Sequence, residues 1–332
     1  MKTAFFGLGL AVIAATAVNG IDYEVASCAE LADIDDTTVT SLTITSSPFE
    51  CDSYTRFRVR NDMVLKSAAA VEFSNFALKV LGTLTVEPDV TFRDVKEQET
   101  KGGALYLEKD TSATFMGTAR FIRNSVISTD LPSVPSPFGG TRNVFLIRSG
   151  GAVFNKGELV FESTAVFSSN AAVTTDSTNE GRGGAVYNAR IGTITFNGRL
   201  TANRNNADGF FVGKGGAIFN AGVIVVAGAS SFAENTAADG GAVYNRPTAT
   251  TTFNDFAMFT ENTCFELRGG AIYNDGSMNV MGGSLFQANS ASSSGDGGDG
   301  GGIYNGGEGS LSFDGDSTFD DNWGYKGGAI YT

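Results

Sequence analysis

Apolar and polar residues alternate in short runs along most of the chain. Examples are Leu159-Val160-Phe161, Ile194-Thr195-Phe196 and Leu311-Ser312-Phe313, and each run leads into glycine or small polar residues. A period of two, with many β-branched and aromatic side chains, is typical of strands that bury one face. No apolar spacing of 3.6 residues persists after residue 20. The pattern therefore predicts an all-β chain of short strands joined by tight turns.

Two motifs recur along the chain. Motif A reads Gly-Gly-Ala-aliphatic-aromatic-Asn and begins, with small variations, at Gly102, Gly150, Gly183, Gly215, Gly240, Gly269, Gly300 and Gly327. Motif B reads Phe-x-x-Asn and begins at Phe121, Phe167, Phe232, Phe259, Phe286 and Phe319. In one further copy Ala202 replaces the phenylalanine while Asn205 is kept.

This self-similarity predicts a solenoid. One repeat of about three short strands cannot bury its own apolar face, so consecutive repeats must stack. Parallel stacking places each strand about 4.8 Å from its copy in the next coil. We therefore predict a right-handed, single-stranded parallel β-helix of about 8–10 coils.

The glycine and asparagine positions fit such coils. The first glycine of motif A supplies the backbone angles that a tight corner needs, and asparagine at a strand end tolerates the left-handed region. Asparagines that recur once per coil can form a hydrogen-bonded ladder. The motif A column is Asn155, Asn188, Asn220, Asn245, Asn274 and Asn305. The motif B column is Asn124, Asn170, Asn205, Asn235, Asn262, Asn289 and Asn322.

The ends of the chain differ from the repeats. Residues 1–20 are predicted to be a signal peptide, with Lys2, an apolar stretch and an Ala15-Thr16-Ala17 cleavage site. Residues 21–75 are predicted to form an N-terminal cap with degenerate coils, pinned by a Cys28–Cys51 disulfide. Residues 76–332 are the β-helix repeats. They end without a cap, which predicts continuation in a longer chain or end-to-end self-association.

Charge and composition exclude several classes of function. The chain has 23 basic and 36 acidic residues, a net charge of −13, which argues against nucleic acid and other polyanions as partners. It contains no histidine, so Ser-His-Asp triads and histidine metal sites are excluded. No transmembrane segment, cofactor, metal site or catalytic residue is predicted.

Two features of the sequence suggest that the protein binds a partner rather than catalyses a reaction. Loop length varies mainly between the motif B asparagine and the next Gly-Gly, so the insertions should leave one corner of the rod, where partners usually bind solenoids. The aromatic position of motif A should face outward, half covered by these loops. Two interpretations of this aromatic column stay open: the rings pack under the loops, or they form a strip that binds sugars. The candidate strip is Tyr187, Phe219, Tyr244, Tyr273 and Tyr304.

The paired motifs, from about residue 92 to 332, resemble the repeats of chlamydial polymorphic outer membrane proteins. The resemblance implies a pectin-lyase-like β-helix at the cell surface, acting in adhesion or as a passenger domain. We expect a secreted or cell-surface, non-enzymatic protein that binds an extracellular glycan or surface protein through its corner loops. The alternative is a polysaccharide lyase, hydrolase or epimerase, by analogy with other proteins of this fold.

Overall fold

The computed structural model describes residues 21–31, 34, 36–97, 101–128, 133–135, 141–143, 147–174, 180–209, 212–292 and 298–332. The predicted signal peptide lies outside the described residues. The chain is an all-β parallel β-helix, as the repeat predicted, and its one described helix is Cys28–Leu31. No helix in this part of the chain is long and apolar enough to cross a membrane.

Each coil passes through four stacks of parallel strands. The motif A stack is Leu105–Leu107, Val153–Asn155, Val186–Asn188, Ile218–Asn220, Val243–Asn245, Ile272–Asn274, Ile303–Asn305 and Ile330–Tyr331. The linking sheet, which follows it in each coil, is Ile21–Val25, Val39–Ile44, Met63–Lys66, Thr83–Val86, Ser112–Phe115, Glu158–Phe161, Thr193–Phe196, Val223–Val226, Thr250–Phe253, Ser277–Val280 and Ser310–Phe313.

The other two stacks complete the coil. The motif B stack is Val90–Arg93, Ala119–Ile122, Ala165–Ser168, Leu200–Asn203, Ser230–Ala233, Ala257–Thr260, Ser284–Gln287 and Ser317–Asp320. The corner sheet is Lys96–Glu97, Ser125–Ser128, Ala171–Thr174, Asn206–Gly209, Thr236–Asp239, Thr263–Arg268, Ser290–Ala291 and Trp323–Gly324. This last sheet contributes a fourth strand to each coil, whereas the sequence predicted about three strands per coil.

A few strands lie outside this scheme. Phe49–Val59 and Val71–Val80 are long enough to span the motif A and motif B stacks together. Ile147–Ser149 pairs in parallel with Glu180–Arg182. Ser133–Pro135 and Thr141–Asn143 form an antiparallel hairpin, which is the one antiparallel pair among the described strands.

The core is a set of ring stacks inside the coils. Alternate residues of each strand point inward, and Phe232, Phe259 and Phe286 stack with ring centroids 4.8 and 4.7 Å apart. The motif B phenylalanines also meet linking-sheet rings edge to face, as Phe167 does with Phe196. Each fully buried phenylalanine contributes about 1.5–3 kcal/mol, so the core is built up coil by coil.

The first glycine of motif A has a positive φ in all eight copies, from 60° to 72°. A Cβ at Gly183 would collide with the carbonyl of Val186, so only glycine fits this corner. The expectation for asparagine was wrong. In motif B the left-handed residue is the one before the asparagine, for example Glu261 with φ 54° and Ala288 with φ 53°.

The asparagines instead serve as buried connectors between coils. In the motif A column each amide nitrogen donates to the next asparagine oxygen at 2.7–3.0 Å, from Asn155 to Asn305. In the motif B column the same contact measures 2.9–3.1 Å from Asn124 to Asn322. Each motif B amide also donates to a carbonyl of the preceding coil, as Asn262 does to Phe232 at 3.0 Å. The ladders therefore satisfy polar groups that burial would otherwise leave unpaired.

The predicted Cys28–Cys51 disulfide is confirmed, with Cα atoms 5.2 Å apart near the N-terminal end of the rod. It joins the short helix to the strand Phe49–Val59. The third cysteine, Cys264, is buried, and its thiol donates to the Ala238 carbonyl at 2.8 Å.

Candidate functional site

The aromatic residues of motif A form a continuous stack on the outer side of their strands. Their aliphatic neighbours enter the main core, whereas Phe219, Tyr244 and Tyr273 form a separate apolar cluster with Tyr187 and Tyr304 against it. Successive ring centroids lie 4.5–5.4 Å apart from Tyr106 to Tyr331. We call Tyr106, Phe154, Tyr187, Phe219, Tyr244, Tyr273, Tyr304 and Tyr331 the aromatic strip.

The middle of the aromatic strip is more deeply covered than the sequence predicted. Phe219, Tyr244 and Tyr273 are only 1%, 8% and 5% exposed, whereas Tyr187 and Tyr304 are half-buried. Because each ring packs face to face on the next, the faces are already occupied. Only ring edges and hydroxyl groups are placed to meet a ligand.

Basic side chains cover the rings. The guanidinium of Arg182 lies 5.2 Å from the Phe219 centroid, and the Lys214 ammonium lies 5.4 Å from that of Tyr244. Arg268 is placed 5.0 and 4.8 Å from two consecutive rings, those of Tyr273 and Tyr304. These three cations occupy the position just before Gly-Gly.

Sequence reasoning missed two further cations on the aromatic strip. Lys79 and Lys156 lie 5.1 and 5.5 Å from the Tyr106 centroid. Lys156 also forms an ion pair of 2.6 Å with Glu108. Neither lysine belongs to a repeated motif column, so the repeat gave no signal for them.

Acidic groups neutralise most of this charge. Glu180 pairs with Lys214 at 3.0 Å and also with Arg182, and Asp239 lies 3.6 Å from the Arg268 guanidinium. Asp239 is 3% exposed, and burial raises its pKa to about 6 although both neighbouring cations oppose the shift. The aromatic strip is therefore bordered by alternating, partly desolvated charges that can select hydrogen-bonding ligands.

The variable loops begin beside this strip. They leave the end of the corner sheet, and the chain then turns through Gly-Gly into the motif A strand. The largest insertion follows Ser125–Ser128 and contains the antiparallel hairpin Ser133–Pro135 with Thr141–Asn143. Residues 129–132, 136–140 and 144–146 of that loop, and parts of others, lie outside the described residues. The insertions therefore enter the strands of the aromatic strip from the side of the corner sheet.

A groove of about 620 Å³ opens at the other edge of the motif A stack. Its floor is the two-residue turn Lys156-Gly157, and its walls are the longer turns of the coils on either side, which include Asp110 and Ile191. Glu158 completes a mainly polar lining. In the part of the chain that the structure describes, no group of three or more His, Cys, Asp or Glu residues could hold a metal ion.

The C-terminal coil is the segment of the chain that matches a known family model. Residues 316–332 match the family model of the Chlamydia polymorphic membrane protein repeat. The matched segment contains the last copies of motif B, at Phe319, and motif A, at Gly327. The resemblance of the motifs to these repeats is thereby confirmed for this segment, and the parallel β-helix that it implied is the fold observed. The comparison with curated proteins and that with solved structures found no match.

Proposed function

We propose that the protein is a secreted or cell-surface, non-enzymatic β-helix repeat protein that binds an extracellular glycan or surface protein through its corner loops. The observation that carries this is the segregation of irregular structure. The longest insertion, with its antiparallel hairpin, leaves the corner sheet after Ser125–Ser128 and returns just before the motif A strand Val153–Asn155, which carries Phe154 of the aromatic strip. Loops held by a rigid scaffold are where binding residues concentrate.

The chemistry of that corner suits recognition of a polar ligand. Arginine and tyrosine are the residues that most often dominate binding energy, and Arg268 and Tyr304 lie together here with an Nη1 to hydroxyl distance of 3.3 Å. Tyr273 donates to Asp275 at 2.8 Å at the turn toward the linking sheet, so the opposite edge of the strip also carries paired polar groups. A neutral or weakly charged glycan, or a polar protein surface, matches this mixture better than a polyanion does.

The proposed location rests on other features. The disulfide is typical of proteins that fold in oxidising compartments, and residues 1–20 have the pattern of a signal peptide. The name of the matched repeat refers to membrane proteins. Together these favour secretion, with the β-helix displayed outside the cell.

The test uses residues 21–332 on a glycan array and on panels of surface proteins, with product release followed in the same wells. One variant replaces residues 129–146, which hold the hairpin, by a short Gly-Ser linker. A matched control, Glu261→Gln, changes an exposed residue of the motif B corner. We expect binding that the linker variant loses and the control keeps. Binding that survives loss of the hairpin contradicts the proposed loop site, and released product would identify a lyase, hydrolase or epimerase.

A further inference from the structure

The outer face of the linking sheet differs in composition from the rest of the surface. Eight consecutive strands, from Thr83–Val86 to Ser310–Phe313, each point their first and third residues outward. Of these sixteen positions, eleven are threonine or serine, three are valine and one is asparagine. Glu158 is the single charged residue, in a chain with 59 charged side chains (23 basic and 36 acidic).

The same face is a regular lattice. All seven pairings between these strands are parallel and free of register shifts, so equivalent side chains form two straight columns. Three coils present a Thr-x-Thr pair: Thr83 and Thr85, Thr193 and Thr195, and Thr250 and Thr252. Neighbours in a column are about 4.8 Å apart, and the two columns are about 6.7 Å apart because they are two strand residues apart.

From Glu158–Phe161 to Ser277–Val280 the coils superpose with little rotation. Phe161 and Phe196, on the inner side of this sheet, stack with an interplanar angle of 3°, whereas Phe115 and Phe161, one coil earlier, differ by 21°. At one edge this face borders the groove, whose lining includes Thr83, Ser112 and Thr193. In the neighbouring motif A stack, successive rings from Phe154 to Tyr273 lie within 5° of parallel. Ordinary sheets rotate by about 20–25° per strand, and flat ones depend on stacking or side-chain ladders, both of which this rod has.

These spacings are close to those of crystalline water. Water oxygens hydrogen-bonded at about 2.75 Å in tetrahedral geometry have second neighbours about 4.5 Å apart, and the hexagonal lattice repeats about 7.3 Å in the perpendicular direction. The two columns therefore depart from the ice lattice by about 0.6 Å across and by about 0.3 Å per coil, which accumulates to about 2 Å over the seven steps between the eight strands. The match thus holds over a few neighbouring coils at a time. Threonine hydroxyls donate and accept hydrogen bonds as water does, so they can occupy lattice positions of that surface.

A protein partner or a crystalline polysaccharide fits this face less well. The face measures about 34 by 10 Å, well below the roughly 800 Å² that each partner contributes to a standard protein interface. None of the sixteen positions carries an aromatic ring, on which the C–H faces of sugars in a crystalline polysaccharide would pack. We propose that the outer face of the linking sheet binds the surface of ice. This proposal concerns a different face from the corner loops and does not depend on them.

The experiment measures ice growth in solutions of residues 21–332, recording crystal shape and the gap between melting and growth temperatures. One variant combines Thr193→Lys, Thr195→Lys and Thr252→Lys. The matched control combines Thr91→Lys, Thr201→Lys and Thr318→Lys, which lie on the outer face of the motif B stack. We expect faceted crystals and a temperature gap for the parent protein and the control, with both lost in the linking-sheet variant.

Three results would overturn the proposal. One is round crystals with no temperature gap for the parent protein at any concentration. Another is equal loss in the two lysine variants, each shown by circular dichroism to be folded. The third is that the parent protein binds insoluble polysaccharide and has no effect on ice, and that the linking-sheet variant no longer binds the polysaccharide. If the lysine variant does not fold, Thr195→Ala with Thr252→Ala must reduce the temperature gap while Thr201→Ala with Thr318→Ala does not.

Discussion

Replacing Asn235 by alanine tests whether the asparagine ladder stabilises the rod. Its amide oxygen accepts from the backbone and side-chain nitrogens of Asn205, each at 3.0 Å. Its amide nitrogen donates to the Ala202 carbonyl and to Asn262, each at 2.9 Å. Asn235 is 0% exposed, so water cannot replace these partners without opening the coil.

The expected loss follows from the groups left unpaired. Alanine removes the contacts to the Asn205 backbone amide and the Ala202 carbonyl, and an unsatisfied buried group costs about 1–3 kcal/mol. Two such groups, with the smaller cost of the cavity, give a loss of about 3–5 kcal/mol in the free energy of unfolding. Asn197→Ala is the matched control. Its side chain is exposed and donates to Glu162 at 2.8 Å, so its loss should stay below about 1 kcal/mol.

Urea unfolding followed by circular dichroism measures both variants, with amide hydrogen exchange to detect coils that open separately. Asn235→Asp separates hydrogen bonding from volume, because it keeps the shape and the acceptor but loses the donor. It should be at least as destabilising as the alanine at neutral pH. If Asn235→Ala costs no more than Asn197→Ala, or if Asn235→Asp is harmless, the ladder is not the source of stability that we infer.

Three further predictions concern backbone strain, pH and the disulfide. Ala288→Gly should stabilise the protein by up to about 1 kcal/mol, because φ at this position is 53° and glycine adopts it without strain; an unchanged urea midpoint would contradict this. Asp239 has a pKa raised to about 6, so its stabilising contribution is complete below about pH 4 and is lost as pH rises through 6. Between pH 4 and 7.5 the parent should therefore lose up to about 3 kcal/mol more than Asp239→Asn in urea unfolding, and parallel pH profiles would refute the assignment. Replacing both Cys28 and Cys51 by serine should destabilise the N-terminal coils by about 3 kcal/mol, since the bond closes a loop of 23 residues; hydrogen exchange there should increase while the coils after Gly183 stay protected.

Much of the architecture could be read from the repeat alone. Gly183 recurs at a fixed place because a corner needs a positive φ there, and Asn235 recurs because each copy must meet the next one. The alternation in Thr193–Phe196 fixed which side chains enter the core. The Cys28–Cys51 bond was predictable because these two cysteines lie outside the repeats in a chain with only one other.

The candidate site was less predictable. The sequence correctly predicted that Tyr244 lies on the outer side of its strand, but it predicted a half-covered side chain. In the structure, neighbouring rings and Lys214 bury Tyr244. It assigned the left-handed conformation to asparagine, although Glu261 and its equivalents adopt it. Both errors share a cause. Local spacing identifies which residues recur, but burial and backbone strain depend on side chains contributed by adjacent coils.

The sequence by itself determined a stacked parallel β-helix, because a repeat that cannot bury its own apolar face has to pack on its copies. It also determined the two asparagine columns and the glycine corners, which are local requirements repeated in every coil. Only the tertiary structure decided how deeply the aromatic strip lies, which cations surround it, and that the outer residues of the linking sheet line up in regular columns. Those properties arise between coils, where stacking distance and rotation bring together residues about 30 positions apart.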